Sequence, residues 1–438
     1  RMVKVSLVSL GCPKNRVDSD TLLGVLRDAG FSYTPDPEGA HVILINTCGF
    51  IEDAKRESIE EILRLKRLKR EGKRLLVFGC LAERYRDELA KEVPEIDGIW
   101  GVGEEAQILE YCRNVMKGTS GKGGKRQAQE GAYMKSPTPL DRGDSYAYLK
   151  IADGCNRGCT YCVIPAIRGP YRSAEPERIL RKAESHIASG AKELILVAQD
   201  ISSYGRELSG YTLPSLLKDL ASISGDFWVR LLYLYPTAIK NDLLSVIAEE
   251  EKICKYLDIP LQHSEDRILK AMGRGGTKRS YRGLIKKLRE AIPGITIRTT
   301  FIVGFPGERE EEFDGLKAFV EEMRFDRMGV FIYSREEGTP AYGMKGNVPQ
   351  KVKDKRRDLL MRLQSSISFE RNKALVGGRF RALVDETDGN VAVARLRSQA
   401  PEIDGVVFLE DGTLKQGEFV DVKIVEAYDY DLRGEVAA

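Results

Sequence analysis

The chain has 438 residues, with 69 Lys and Arg against 66 Asp and Glu and a formal charge of +3. That composition is ordinary for a globular protein of about three domains; no run of roughly eighteen apolar residues and no signal peptide is found, so neither a membrane span nor secretion is expected. Eight cysteines in such a chain point to a reducing, cytoplasmic setting, where thiols bind metal more often than they pair.

Residues 1–116 alternate strands and helices. Strands are expected at Val3–Leu10, His41–Thr47 and Leu75–Gly79, and the segment from Ile51 to Arg70 predicts a helix with Ile59, Ile62 and Leu63 on one face. This is the pattern of a small parallel α/β sheet with crossover helices. Ligands of such sheets lie beyond the carboxyl ends of the strands, and each strand delivers one cysteine there: Cys12, Cys48 and Cys80. One such cysteine would mean nothing, because free cysteine is commonly buried. Three in register are candidate ligands of one metal centre. Cys112, on the closing helix, reads as packing. From Lys117 to Asp144 the composition shifts to Gly, Lys, Ser and Pro, which is that of a linker.

From Ser145 the alternation resumes. Strands are expected at Tyr146–Ala152, Glu193–Ala198, Phe227–Leu234, Lys255–Ile259, Ile295–Val303 and Arg327–Tyr333, six strand-helix units that suggest a partial, open parallel barrel with its chemistry at the carboxyl ends of the strands. After the first strand comes Cys155-Asn156-Arg157-Gly158-Cys159-Thr160-Tyr161-Cys162. Structural zinc is four-coordinate, whereas the next cysteine here is Cys254 and no histidine lies nearby. Iron-sulfur clusters are held by thiolates at such short spacings, and three ligands on a four-iron cluster leave one iron open. The bland alternative is three unligated cysteines packed in one loop. Gln199, Asp200, Tyr235, Gln262 and His263 fall at strand ends, and Arg298 within the fifth strand. Gly304-Phe305-Pro306-Gly307-Glu308 opens a helix, where backbone N–H groups can approach a polar ligand. Each is a candidate contact, yet strand-end polar residues are often turn formers, and His263 reads equally well as a satisfied structural histidine. Cys254 reads as core.

Pro349 to Lys373 predicts one long helix with Val352, Leu359, Leu360, Leu363 and Ile367 as its apolar stripe and a solvated charged face. It ends the central domain, residues 145–372. Period-two patterning follows at Phe380–Val384, Val391–Arg395, Val406–Leu409 and around Val420, Val422 and Ile424. That implies a small antiparallel barrel, residues 373–438, of a type that often binds oligonucleotides. It carries eight Lys and Arg against thirteen Asp and Glu, a net of −5, while the rest of the chain carries +8. A barrel built to grip RNA should be basic; an acidic one repels RNA and attracts a basic partner.

The triad, with Tyr161 before its last cysteine, resembles the signature of the radical S-adenosylmethionine (SAM) enzymes. Together with Ser9-Leu10-Gly11-Cys12-Pro13-Lys14-Asn15-Arg16-Val17-Asp18-Ser19, Asn46-Thr47-Cys48 and the terminal TRAM-like barrel, it resembles the methylthiotransferases over essentially the whole chain. Pro13-Lys14-Asn15-Arg16 looks like the RimO branch, which modifies a ribosomal protein, rather than the MiaB-like branch that modifies tRNA adenosine. The resemblance implies that Cys155, Cys159 and Cys162 hold a 4Fe-4S cluster whose open iron chelates SAM. It further implies that Cys12, Cys48 and Cys80 hold a second 4Fe-4S cluster carrying the sulfur to be inserted. Tyr161, Gln199, Asp200, Gln262, His263, Arg298, Gly304 and Glu308 become candidate SAM contacts, and no side chain beyond the cluster ligands is assigned to catalysis. One SAM methylates the sulfur and a second generates a 5'-deoxyadenosyl radical. The implied product is a methylthio group on the β-carbon of an aspartate in small-subunit ribosomal protein S-twelve, a basic substrate suited to the acidic barrel, with a low-potential electron donor such as a flavodoxin or ferredoxin. Two clusters cooperate only if the N-terminal sheet sits over the open rim of the barrel. The rival readings are a tRNA methylthiotransferase and, from another class, a non-enzymatic iron-sulfur carrier.

Overall fold

The computed structural model describes residues 3–69, 72–119 and 143–437. Most of the expected linker, residues 120–142, lies outside them.

The N-terminal unit is a parallel sheet of β1 (Lys4–Ser9), β2 (Ser32–Tyr33), β3 (Val42–Thr47), β4 (Arg74–Gly79) and β5 (Gly98–Trp100), in the order β2-β1-β3-β4-β5. Every residue of β3 is buried, as expected of a central strand covered on both faces. Sequence patterning missed β2 and β5 because they are only two and three residues long. The helix predicted from Ile51 runs from Glu52 to Lys66 and buries Ser58, Ile62 and Leu65. Ile59 and Leu63 are exposed, a correction to the expected face. Ser58 takes the inner position because its hydroxyl donates to the Cys48 carbonyl at 3.0 Å and accepts from the Cys48 N–H at 2.9 Å.

The central unit opens with β6 (Tyr146–Lys150) and a short antiparallel pair, β7 (Ala152–Asp153) with β8 (Arg172–Ser173). It continues with β9 (Glu193–Val197), β10 (Trp228–Leu231), β11 (Ile253–Asp258), β12 (Thr296–Val303) and β13 (Arg327–Ile332). The order β13-β12-β11-β10-β9-β6 is parallel throughout, the six-stranded open barrel that the sequence predicted. Because strand side chains alternate, Leu194, Leu196 and Val229 face the surrounding helices, while Ile195, Val197, Trp228, Cys254 and Tyr256 face inward. That inner face is not closed by more strands. It is filled by Leu383, Ala400 and Phe419 of the C-terminal barrel and by Val17 of the N-terminal helix.

The long helix spans Gln350–Lys373. Its inner face differs from the predicted stripe: Leu360 and Ile367 are buried, but so are Lys353, Arg356, Gln364, Ser368 and Asn372. Several of these polar residues find partners on the barrel. Arg327 donates to Ser368 Oγ at 2.8 Å and to Asn372 Oδ1 at 3.2 Å, and Gln364 donates to the Phe325 carbonyl at 3.0 Å. The chain ends in a closed barrel, β14 (Arg379–Asp388), β15 (Val391–Leu396), β16 (Val407–Leu409), β17 (Phe419–Ala427) and β18 (Leu432–Val436), ordered β14-β15-β16-β18-β17. A buried ion triad ties it to the central sheet: Glu193 with Arg230 of β10 and with Arg395 of β15, the latter pair at 2.7 Å. Among the described residues no helix is long and apolar enough to cross a membrane.

Candidate metal centres at the barrel mouth

Cys12 caps the helix Pro13–Asp28, Cys48 follows β3, and Cys80 opens the helix that follows β4. Their convergence is enforced by a close approach. Gly11 has φ +87°, and a side-chain carbon there would lie 2.6 Å from Cys48 Cβ and 2.8 Å from its sulfur, so only glycine brings this loop so near. The three thiols feel one another: burial raises Cys48 to about 12, with Cys80 and Cys12 adding to the effect. Burial also raises Cys80, against the pull of Arg168. At Cys12 burial acts in the same direction, but Lys14 and Arg168 outweigh it and hold the thiol below its ordinary value.

The second set lies on the loop after β7. Cys162 N–H donates to the Cys159 carbonyl at 3.1 Å, and the Arg157 N–H donates to Cys155 Sγ at 3.4 Å. Thr160 is fastened on both sides, its N–H to the Met272 carbonyl and its hydroxyl to the Ala271 carbonyl. Burial pushes Cys162 up to about 12, with Cys159 and Cys155 adding to it. The Arg274 guanidinium lies 3.7 Å from Cys159 Sγ. Arg157 and Arg274 both stack on Tyr235, at 3.9 and 4.2 Å from its centroid.

Each thiol set is thus paired with a guanidinium N–H donor, the environment an anionic sulfur ligand requires. Among the described residues no three His, Cys, Asp or Glu side chains close around a single metal ion; a cluster instead spreads its ligands over several irons. Two side-chain acceptors at the strand ends, Gln199 Oε1 and Gln262 Oε1, are buried without a partner, so the rim offers acceptors for the N–H groups of a ligand. The donor set and these orphaned acceptors fit iron-sulfur clusters and a polar cofactor.

The structure connects the two sets. The helix Ile164–Arg168 begins immediately after Cys162, and its Ile167, with the preceding Val163, packs on Cys80. Arg168 reaches Cys80 Sγ at 3.5 Å, Asn15 Oδ1 at 2.7 Å and Asp18 at 2.9 Å. Lys150 joins Asp18 and Asp153, both at 2.6 Å. Burial would raise Asp153, but Lys150 and Arg168 hold it well below the usual carboxylate range. The N-terminal unit therefore sits over the carboxyl ends of the barrel strands, and a cleft of about 350 Å³ lined by Ser9, Leu10, Gly11, Cys12, Pro13, Arg16 and Glu402 opens beside it.

The other predicted residues are placed as follows. Tyr161 packs on Ile268, Met272, Phe305 and Tyr333. Gln199 donates to Asp153 at 3.0 Å. Asp200 accepts from Arg157 at 2.9 Å and from the Ser202 N–H at 3.0 Å, and so orients the triad loop. Gln262, at φ +73°, pairs with β12 through its backbone. His263 is fully buried, its Nδ1 accepting from the Glu265 N–H at 3.0 Å. Arg298 pairs with Asp258 at 3.3 Å and with Asp404 of the C-terminal barrel at 3.5 Å. The expectation that the N–H groups of residues 304–308 face a ligand does not hold. Gly304 and Phe305 donate to the Glu308 carboxylate, and Gly307 to the Gly346 carbonyl. Glu308 is itself paired with Arg356 at 3.1 Å, while burial raises it to about 7. The loop is closed on itself by its own carboxylate. Cys112 and Cys254 are fully buried in separate apolar clusters. Sequence reasoning missed Lys150, Asp153, Arg168 and Arg274 as site residues, since their roles depend on contacts between units. Arg157, inside the triad, was the one with a local signal.

Residues 4–101 match the uncharacterized protein family UPF0004, residues 149–320 the radical SAM superfamily and residues 376–437 the TRAM domain. The chain is 52% identical over 436 residues to the ribosomal protein uS12 methylthiotransferase RimO of Thermodesulfovibrio yellowstonii, covering 99% of this chain and 100% of that one. It is 47% identical to the protein of the same description from Thermoanaerobacter sp., covering 99% and 100%. Among solved structures it is similar to the radical SAM methyltransferase TsrM from Kitasatospora setae, with a TM-score of 0.56 and 14% identity over 89% of this chain and 79% of that one.

Proposed function

The chain belongs to the RimO family of radical SAM methylthiotransferases, and we propose that it adds a methylthio group to the β-carbon of an aspartate in ribosomal protein uS12, using two iron-sulfur clusters. Membership in the radical SAM superfamily implies one 4Fe-4S cluster and SAM. The second cluster is our reading of Cys12, Cys48 and Cys80. The observation that carries it is the packing of Cys80 against Val163 and Ile167, directly after Cys162, which brings the N-terminal thiols up to the short helix that follows the barrel triad.

When bound, the clusters and SAM supply the carbon-centred radical and the sulfur, chemistry that no acid-base side chain provides. The protein positions and shields them. Cys155, Cys159 and Cys162 would hold the SAM-bearing cluster, with Arg274 directed at Cys159 and Arg157 held by Asp200. Cys12, Cys48 and Cys80 would hold the other, with Arg168 directed at Cys80. Gln199, Gln262 and Tyr161 would contact SAM at the strand ends. The C-terminal barrel, net −5, is suited by charge to a basic ribosomal protein, and Glu402 brings that charge to the cleft beside Cys12. A low-potential flavodoxin or ferredoxin would supply the electrons.

The test is anaerobic reconstitution with iron and sulfide, followed by mass spectrometry of purified uS12 after incubation with SAM and a strong reductant. Gain of a methylthio group, lost separately on Cys155→Ala and on Cys48→Ala, is expected. Iron content should fall by about half in each variant. Modification of tRNA but not uS12, or one cluster's iron in the wild type, would overturn the reading.

A further inference from the structure

Five cations of two units crowd the junction at the barrel mouth, and four have acidic partners: Arg16 with Asp144 and Glu402, Lys150 and Arg168 with Asp18 and Asp153, and Arg298 with Asp258 and Asp404. Lys14 is the exception. Among the described residues its ammonium has no hydrogen-bonded carboxylate; it rests over the ring of Tyr233, 3.6 Å from the centroid. The nearby Asp258 is already taken, accepting from Arg298 and from the Tyr233 N–H at 3.2 Å. Tyr233 holds φ +66°, a conformation that costs a non-glycine residue of order 1 kcal/mol or more and persists only when the surroundings impose it. Here it follows β10 and places its ring at the carboxyl edge of the sheet, under the N-terminal helix. Lys14 is half-buried, and with only the Cys12 thiol and the engaged Asp258 as nearby anions its ammonium keeps donors free, since an aromatic face recovers only part of the lost hydration.

We propose that Lys14 is a specificity-determining residue whose ammonium binds the carboxylate of the acceptor aspartate. This rests on the reading that an aspartate of uS12 is the acceptor. The position suits the chemistry. Lys14 lies two residues after Cys12 in the chain, on the side of the N-terminal thiols, and its ammonium stands at the barrel mouth. A carboxylate fixed there would bring its adjacent β-carbon to the side of Cys12 and Arg168, where sulfur addition would occur. Holding that carboxylate also distinguishes aspartate from asparagine, because an ammonium donates to an anion more strongly than to a neutral amide. The cleft lined by the Cys12 loop and Glu402 lies beside Lys14 in the chain, at Pro13 and Arg16.

The experiment is a coupling cycle on reconstituted holoenzyme. Dissociation constants are measured by fluorescence anisotropy for labelled uS12 and for uS12 with the acceptor aspartate changed to asparagine, against wild type, Lys14→Met and Lys14→Arg. Wild type should bind the aspartate form about tenfold or more tighter than the asparagine form, the range of one charged hydrogen bond. Lys14→Met should abolish that difference without weakening the asparagine form, and Lys14→Arg should restore part of it. In turnover, Lys14→Met should raise KM for uS12 more than it lowers kcat, with SAM binding and iron content unchanged. Equal weakening of both uS12 forms, no weakening of either, or loss of iron from the N-terminal site would overturn the proposal. Failure of the wild type to modify uS12 at all would instead remove the reading beneath it. Tyr233→Leu, which deletes only the aromatic platform, should give a smaller loss confined to the aspartate form.

Discussion

The guanidinium of Arg168, carried on the helix that follows Cys162, lies 3.5 Å from the sulfur of Cys80 on the N-terminal sheet. One side chain thereby couples the loop of Cys155, Cys159 and Cys162 to a thiol of the N-terminal set, and it is pinned by Asp18 and Asn15.

Arg168→Gln removes a buried charge from a network with Asp18, Asp153 and Lys150. Breaking such a network by deleting one partner costs about 3–5 kcal/mol, which urea unfolding of the apoprotein should register. In the reconstituted enzyme, loss of an N–H donor to a cluster sulfur should lower the midpoint potential of the N-terminal cluster alone, read by EPR-monitored titration.

Gly11→Ala tests the close approach at Cys48. A methyl group there meets Cys48 Cβ and Sγ within 2.8 Å on a backbone of φ +87°, so the thiol must move. Iron at the N-terminal set should be lost while the barrel cluster and SAM binding remain, seen as about half the wild-type iron with SAM still cleaved.

Glu193→Gln leaves Arg230 and Arg395 buried without their shared carboxylate. The expected cost is again about 3–5 kcal/mol. Since the triad joins the central sheet to the terminal barrel, limited proteolysis should release residues near 373–438 first. Equal protection in variant and wild type would refute the joining role.

His263 supplies a pH dependence. Burial lowers it from 6.5 to about 3, so between these values the unfolded chain binds a proton that the native protein refuses. Its contribution is therefore fully present above pH 6.5 and is lost as pH falls, at about 1.4 kcal/mol per unit. Between pH 6.5 and 5 wild type should lose about 2 kcal/mol more than His263→Gln in paired denaturation curves. Identical slopes would place the imidazole in contact with solvent.

Much of the site was legible in the chain because it is local. The barrel triad lies on one loop, and the lack of a fourth ligand nearby is what favoured an open cluster over zinc. Cys12, Cys48 and Cys80 could be grouped because three parallel strands deliver their carboxyl ends to one edge. The motifs that resembled the methylthiotransferases are borne out by relatives aligned along the whole length. The strand-end residues were less legible. A polar residue after a strand has the same appearance whether it bonds a ligand, as the orphaned oxygen of Gln262 permits, or its own loop, as Glu308 does. The long helix misled for a related reason: its polar inner residues look solvated until Arg327 and the Phe325 carbonyl are found opposite them.

By itself the sequence determined the three units, their strand periodicity and the six thiols, because hydrophobic alternation and short ligand spacing are properties of neighbouring residues. Only the tertiary structure decided that Arg168 reaches from the loop of one thiol set to a sulfur of the other, that the acidic barrel fills the inner face of the open one, and that Lys14 has no hydrogen-bonded carboxylate among the described residues. Each depends on which charges meet across unit boundaries, and a buried charge is defined by partners that lie far away along the chain.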